Sequence, residues 1–195
     1  MILYLHGFRS SPHSFKARLL AARLQALGHA DAWVCPQLPV SPLASVDSAE
    51  RLIEGIAPEQ LTLIGSSLGG YYATYLAERA GCRCVLLNPA THPYDDLEPW
   101  LGEQPLWHGG GSVLVERHHL GELRALEVPN ITRPERYWLI AATGDEVLDY
   151  RDMLAKYPGA RTTLIDGGDH GISDFAAYLD DVLEFCGISP TSTAD

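Results

Sequence analysis

The sequence has no apolar run that approaches the ~20 residues that a helix needs to cross a bilayer. Its start, MILYLHG, lacks both the basic segment and the long hydrophobic segment of a secretory signal peptide. These absences predict a chain without a membrane span or a cleaved leader. The first residues, Met1–Leu5, are instead predicted to form a core strand.

Basic residues are also scarce, with 14 Lys and Arg against 25 Asp and Glu, giving a formal net charge of −11 at pH 7. Nucleic acid and anionic lipid surfaces are themselves negatively charged and would repel such a chain. We therefore expect neither of them as a partner. A small-molecule substrate is compatible with this charge.

Only four cysteines are present, at Cys35, Cys82, Cys84 and Cys186. Cys82 and Cys84 form a C-x-C pair, but no second ligand pair at comparable spacing accompanies them, as a metal or redox site would require. We interpret all four as free thiols in a reducing, cytoplasmic compartment.

Apolar segments of strand length alternate with segments of helical period along the 195 residues. The predicted strands are Met1–Leu5, Ala32–Pro36, Leu61–Gly65, Cys82–Asn88, Tyr137–Ala142 and Arg161–Ile165. Single helices between near-continuous apolar strands are typical of a parallel sheet covered on both faces. The predicted fold class is therefore α/β, with a doubly wound, mostly parallel six-stranded sheet in one domain over residues 1–187. Residues 188–195 are predicted to be a disordered tail.

Capping signals and apolar spacing locate the helices between these strands. Helices are expected after Ser11-Pro12 and ending at Gly28, after Ser41-Pro42, over Leu68–Ala80, directly after Asp145, and over Phe175–Cys186.

The strongest chemical signal is Gly65-Ser66-Ser67-Leu68-Gly69, a G-x-S-x-G motif between a predicted strand and a predicted helix. Glycines on both sides allow a sharp turn, which lifts the Ser67 hydroxyl above the strand ends. Ser66 lacks this pair of flanking glycines. Ser67 is therefore the predicted nucleophile.

A serine hydroxyl needs a base, and the base needs a third group to orient it. In hydrolases with this elbow the order along the chain is Ser, acid, His. His170, in a glycine-rich loop after the last predicted strand, is the expected base. The expected acid is Asp145, which directly follows the strand Tyr137–Ala142.

Other assignments for the acid stay open. Asp149 is the second choice because it falls a turn into the predicted helix, and Asp166 and Asp169 are weaker alternatives. Thr143 and Glu146 also have the spacing of a capping box, so Asp145 would suit the start of a helix as well.

Negative charge that develops on a substrate carbonyl needs fixed N–H donors. The expected oxyanion-hole donors are the backbone N–H groups of Leu68 and Phe8. His6 and Gly7 precede Phe8, and we expect them to border the substrate. The loop that contains Phe8 and the turn that precedes Leu68 would flank the point where the winding direction of the sheet reverses. Open α/β sheets bind ligands at this switch point.

The stretch of about 89–134 interrupts the alternation of strands and helices. It contains five prolines before Arg133 and the run Gly109-Gly110-Gly111, and only Glu116–Glu127 has a helical pattern. Trp100 and Trp107 within it favour an ordered cap insertion over Ser67 that contacts substrate. The alternative is a satellite core that never meets substrate. The three glycines suggest a flexible hinge, which favours a gating role for the cap.

His118 and His119, with Glu122 one turn later, could form a metal site, but a solvated helix face is the preferred interpretation. We expect neither a metal nor an organic cofactor.

Several segments together resemble the YqiA-like bacterial esterases, small members of the α/β-hydrolase superfamily. The similar segments are LYLHGFRSSP, PQLP, GSSLGGYYATYLA, LNPA, TGDEVLDY and GGDH. The resemblance covers nearly the whole chain up to about Gly187. It implies a serine esterase with Ser67 as nucleophile, Asp145 as acid and His170 as base.

The predicted reaction is hydrolysis of an ester or thioester through an acyl-enzyme intermediate. Because fold and triad do not specify the substrate, a thioesterase, an amidase and a lactonase remain alternatives. A non-catalytic small-molecule-binding protein on the same fold is the alternative from another class.

Overall fold

The computed structural model describes residues 1–189 and contains a six-stranded parallel sheet with the strand order β2-β1-β3-β4-β7-β8. Its strands are β1 (Ile2–Leu5), β2 (Trp33–Val34), β3 (Thr62–Ser66), β4 (Arg83–Leu87), β7 (Tyr137–Ala142) and β8 (Arg161–Ile165). Two further strands, β5 (Gly102–Pro105) and β6 (Ser112–Val115), form a separate antiparallel hairpin. The helices are α1 (Phe15–Ala26), α2 (Pro42–Ile53), α3 (Leu68–Ala80), α4 (Pro93–Asp96), α5 (Arg117–Ala125), α6 (Tyr150–Lys156) and α7 (Leu179–Phe185).

The direction of winding changes between β1 and β3. From β1 the chain moves outward to β2, then returns to β3 on the other side of β1 and continues through β4, β7 and β8. The doubly wound parallel sheet predicted from the sequence is therefore confirmed. Ligands bind at such a switch point, beyond the carboxyl ends of the strands.

Side chains alternate along the strands, so each face of the sheet has its own apolar cluster. Leu3 and Leu5 of β1 belong to the cluster that α2, α3, α5 and α6 cover. Ile2 and Tyr4 belong to the opposite cluster, beneath α1 and α7. Helices on both faces explain why the strands are apolar without alternation.

Most helix boundaries agree with the capping signals. The Ser41 hydroxyl accepts the N–H of Ala44 at the start of α2, and α3 ends at Gly81, which is left-handed. The start of α1 was wrong, because Ser14 and not Ser11 precedes its first turn. The helix after Asp145 begins later than predicted, at Tyr150.

The stretch 89–134 is more regular than the sequence suggested. Besides α5, where a helix was expected, it contains α4 and the β5–β6 hairpin. The hairpin was missed because its strands have four residues each, and β5 (GEQP) has almost no apolar character. Gly109-Gly110-Gly111, for which a flexible hinge is predicted, form the turn between β5 and β6, all at positive φ.

The predicted tail begins too early. Ile188 packs against the core, and its N–H donates to the Leu183 carbonyl oxygen over 2.9 Å. The rest of that prediction, from residue 190 onward, lies outside the described residues. Within residues 1–189, no helix has the length and apolar character needed to cross a membrane.

Candidate active site

Ser67 lies in a strained turn between β3 and α3. Its backbone has φ 54° and ψ −124°, a combination that residues other than glycine rarely adopt. A Cβ on Gly65 would lie 2.3 Å from the Gly69 carbonyl oxygen, and one on Gly69 would lie 2.0 Å from that of Leu5. Both glycines are therefore required by close packing, as the motif predicted.

The structure brings the three predicted triad residues together. His170 Nε2 lies 3.0 Å from Ser67 Oγ, and His170 Nδ1 lies 2.8 Å from Asp145 Oδ2. The Asp145 side chain is fully buried, whereas that of His170 is 22 % exposed. With Nδ1–H donating to the carboxylate, Nε2 is free to accept the serine proton.

Asp145 is held in place by the turn that follows it. Its Oδ1 accepts the N–H groups of Val147 (2.8 Å) and Leu148 (2.9 Å), which leaves Oδ2 to His170. The carboxylate thus closes a turn of its own chain and orients the imidazole at the same time.

The alternative acids have other partners. Asp149 is the N-cap of α6 and accepts the N–H of Arg151, while Asp169 accepts the N–H and hydroxyl of Ser173. Asp166 accepts only a long hydrogen bond, 3.5 Å, from the Thr143 hydroxyl.

The capping box proposed for Thr143 and Glu146 was wrong. Thr143 Oγ1 accepts the N–H of Gly167, and Glu146 Oε2 accepts the N–H of His170 at 3.0 Å. Both side chains therefore join the loop of the acid to the loop of the histidine. The spacing fitted a helix start, but the N-cap of the helix is Asp149, six residues after Thr143.

The predicted oxyanion residues lie beside Ser67. Phe8 and Leu68 line the same cavity as Ser67, and a Cβ on Gly7 would lie 3.1 Å from the Ser67 Cβ. His6 is buried, and burial lowers its pKa. Its Nε2 accepts the N–H of Leu38 and its Nδ1 lies 3.0 Å from Gly7 O. Both nitrogens are thus used to hold the loop.

Three cavities border the elbow, and the residues that line the smallest, of about 290 Å³, include Lys16, Ser67 and His170. Phe8 and Leu68 line both of the larger cavities. The first, here called the Trp cleft, has a volume of about 470 Å³. Its lining includes Ser67, His170, Leu97, Trp100, Trp107 and Leu148. The second, the hairpin cleft, has about 450 Å³ and lies under the β5–β6 turn. Its lining includes Leu38, Tyr72, Leu106 and Val113.

Arg9 connects the predicted cap to the loop after β1. Its carbonyl oxygen accepts the Trp107 N–H at 2.9 Å, and its Nε donates to Pro105 O at 2.5 Å. The guanidinium carbon lies 4.1 Å from the Trp107 ring centre and 5.7 Å from that of Trp100. Trp107 is 65 % exposed and Trp100 46 %, so neither ring is a core side chain.

One group of possible metal ligands occurs among residues 1–189. Glu116, His118 and His119 have ligand atoms within 4.8 Å of one another. His119 is buried, and its Nδ1 accepts the Glu116 N–H, which caps α5. Glu122, the third member of the predicted cluster, accepts from the hydroxyl of Ser41. None of these residues lines either cleft.

Burial keeps the thiols protonated. The pKa of Cys82 is raised to about 11 and that of Cys186 to about 12, mainly because burial disfavours the thiolate. All four cysteines are free.

The sequence matches the uncharacterised protein family UPF0227 over residues 1–187. The chain belongs to this family. The YqiA-like resemblance predicted from the motifs is therefore confirmed.

Solved structures similar to this UPF0227 chain share its fold. Mouse alpha/beta hydrolase domain-containing protein 10 has a TM-score of 0.68 at 16 % identity, covering 94 % of this chain and 89 % of that one. The esterase domain of a Rhodothermus marinus protein has a TM-score of 0.63 at 20 % identity, covering 93 % of this chain and 83 % of that one. Est1E of Butyrivibrio proteoclasticus, solved with ferulic acid bound, has a TM-score of 0.61 at 16 % identity, covering 95 % of this chain and 89 % of that one. The architecture is a minimal α/β-hydrolase fold.

The sequence analysis missed two candidate functional residues, Asn88 and Lys16. Asn88 donates to two carbonyl oxygens of the histidine loop, and Lys16 donates to a third. Asn88 stands in the LNPA segment, whose position after a strand was the one available signal. Nothing in the local sequence distinguishes Lys16.

Proposed function

We propose that this UPF0227 protein is a serine hydrolase that cleaves carboxylic esters or thioesters through an acyl-enzyme intermediate. The observation that carries the proposal is the continuous chain Asp145–His170–Ser67, with separations of 2.8 and 3.0 Å, ending at a strained elbow. Such a chain is the arrangement that activates a serine hydroxyl.

In the proposed reaction, His170 Nε2 takes the proton from Ser67 as Oγ attacks the substrate carbonyl carbon. Asp145 holds the imidazole tautomer and stabilises the imidazolium that forms. The N–H groups of Phe8 and Leu68 stabilise the negative oxygen. His170 then protonates the leaving group, and water repeats the sequence to release the acid and regenerate Ser67.

The two clefts suit the two halves of a substrate. The Trp cleft contains Ser67 and His170 and is bordered by Leu97, Trp100 and Trp107, so we assign it to an apolar acyl group. Trp100 and Trp107 would then act as the cap predicted from the sequence. His6 and Gly7 border the hairpin cleft, which we assign to the leaving group.

The similar structures include an alpha/beta hydrolase domain-containing protein, an esterase domain and Est1E, which supports hydrolysis. They do not decide the substrate, because the identities are low. Est1E binds ferulic acid, so esters of aromatic acids belong in any substrate panel. The cytoplasmic location and the lack of nucleic-acid partners stay predictions from composition.

The direct test is turnover of acyl esters and thioesters, graded by acyl length and including aromatic acids, by the wild type and Ser67→Ala. The neighbouring substitution Ser66→Ala is the matched control. We expect Ser67→Ala to lose activity by a factor that approaches the ~10⁶ of other triad enzymes, with Ser66→Ala near wild type. A folded Ser67→Ala protein with a tenth of wild-type activity would refute the proposal.

A further inference from the structure

The loop that carries His170 has little regular structure of its own. It joins β8 to the segment before α7 and passes through Gly167, Gly168 and Ile172, all at positive φ. A loop of this kind needs contacts from other elements if it is to hold an imidazole in one place.

Asn88 supplies two of these contacts. It follows β4, is fully buried and has a positive φ of 42°. Its Nδ2 donates to the carbonyl oxygens of Asp169 (3.0 Å) and His170 (3.1 Å). Its Oδ1 accepts the N–H of Ala142 at 2.8 Å, at the end of the strand that leads to Asp145. One carboxamide therefore connects the strand end before the acid to the loop of the base, with both amide protons and its oxygen engaged.

Lys16 supplies the next contact along the same loop. It lies in α1, is only 8 % exposed, and its Nζ donates to the Gly171 carbonyl oxygen at 2.6 Å. Three consecutive carbonyl groups, from Asp169 to Gly171, are thus bound by side chains from two other elements. The charged groups that act on Lys16 are the carboxylates of Asp169 and Asp145.

We propose that Asn88 and Lys16 are positioning residues that hold the backbone around His170 so that its imidazole spans Asp145 and Ser67. This inference rests on the proposed function, because that function makes His170 the general base whose position matters. A misplacement of about 1 Å can cost about 100-fold in rate, so losing these contacts should act on catalysis more than on substrate affinity.

The test compares each variant with a matched control elsewhere in the chain. Asn88→Ala is paired with Asn130→Ala, which changes an exposed asparagine. Lys16→Met is paired with Lys156→Met, because Lys156 Nζ also donates to a backbone carbonyl, that of Val128. Asn88→Ser serves as a second variant if Asn88→Ala unfolds.

Three readouts are measured on folded protein: kcat and KM, the rate and final stoichiometry of fluorophosphonate labelling at Ser67, and the low-field NMR resonance of the proton between His170 and Asp145. We expect Asn88→Ala to lower kcat and the labelling rate by about 30-fold or more. Its KM should stay within twofold of the wild-type value, and every chain should be labelled at the end of the reaction. The low-field resonance should move or broaden. Lys16→Met should lower kcat by about tenfold, and both controls should match the wild type.

Wild-type labelling rates and an unchanged resonance in Asn88→Ala would overturn the inference while leaving the proposed function intact. A raised KM with unchanged kcat in Lys16→Met would also contradict it, because that pattern indicates a substrate contact. If wild-type protein is not labelled at Ser67, the proposed function itself fails and the inference fails with it.

Discussion

Gly144 and Gly168 meet backbone to backbone: a Cβ on Gly144 would lie only 2.4 Å from the Gly168 carbonyl oxygen. The Gly144 N–H donates to the neighbouring carbonyl of Gly167 at 2.8 Å. The loop that leads to Asp145 and the loop that leads to His170 are therefore in direct contact just before these two residues. We conclude that this backbone contact helps to position both the acid and the base.

Substituting Gly144 by alanine should force these loops apart. We expect Gly144→Ala to lower kcat by about 100-fold, because the hydrogen bond between Asp145 and His170 would lengthen. Gly121→Ala is the control, since Gly121 lies in α5 with open space around it, and it should keep full activity and gain slightly in stability. Equal activity of the two variants would show that the contact is unimportant for catalysis.

The choice of Asp145 over Asp149 can be tested with two isosteric substitutions. Asp145→Asn should lower kcat by about 10⁴-fold, since the amide cannot hold the required imidazole tautomer. Asp149→Asn should be nearly silent, because asparagine also caps helices well. Steady-state kinetics on both variants decides the assignment, and a greater loss in Asp149→Asn would reverse it.

Trp100 and Trp107 should control the acyl preference. Both side chains are exposed and line the Trp cleft, so replacing either by alanine should cost less than about 1 kcal/mol of stability. We expect kcat/KM to change several-fold between short and long acyl chains. Leu164→Ala, another exposed apolar residue, is the control. A fall in melting temperature with unchanged preference would instead support the satellite core.

Because Lys16 is buried, the free energy of unfolding should depend on pH in the alkaline range. Burial lowers its pKa from the ordinary 10.5 to about 8, and the carboxylates of Asp169 and Asp145 offset only part of that effect. Between these two values the unfolded chain binds more protons than the folded one, so the free energy of unfolding rises with pH.

The matched comparison is urea unfolding of the wild type and Lys16→Met at pH 7 and pH 10. From pH 7 to pH 10 the wild type should gain about 2 kcal/mol relative to the variant, as each pKa unit corresponds to ~1.4 kcal/mol. A difference that is independent of pH would mean that Lys16 has an unperturbed pKa in the folded protein.

Local patterns were sufficient for much of the fold and for the three candidate triad residues. The G-x-S-x-G motif depends on glycines only two positions from Ser67. The six strands of the parallel sheet were recognisable from the alternation of strand-length segments with helical ones. The start of the helix after Asp145 was wrong because Thr143 and Glu146 mimic a capping box while bonding to the histidine loop.

The remaining features depend on contacts between distant parts of the chain. Asn88 lies 81 and 82 residues from its carbonyl partners, and Lys16 lies 155 residues from its own. A polar side chain that binds a remote backbone carbonyl has no periodic signature. The β5–β6 hairpin was missed for a different reason, since its short and polar strands have little apolar alternation to detect.

The proposed function requires Ser67 to be a nucleophile that His170 activates, and covalent labelling measures this directly. The protein is incubated with a fluorophosphonate, and the modified peptide is mapped by mass spectrometry in the wild type, Ser67→Ala, Ser66→Ala and His170→Ala. We expect one label per wild-type chain, on Ser67, retained in Ser66→Ala, absent in Ser67→Ala and slowed by orders of magnitude in His170→Ala. Equal labelling of wild type and Ser67→Ala, or no labelling of the folded wild type, would contradict the assignment of Ser67 as the nucleophile.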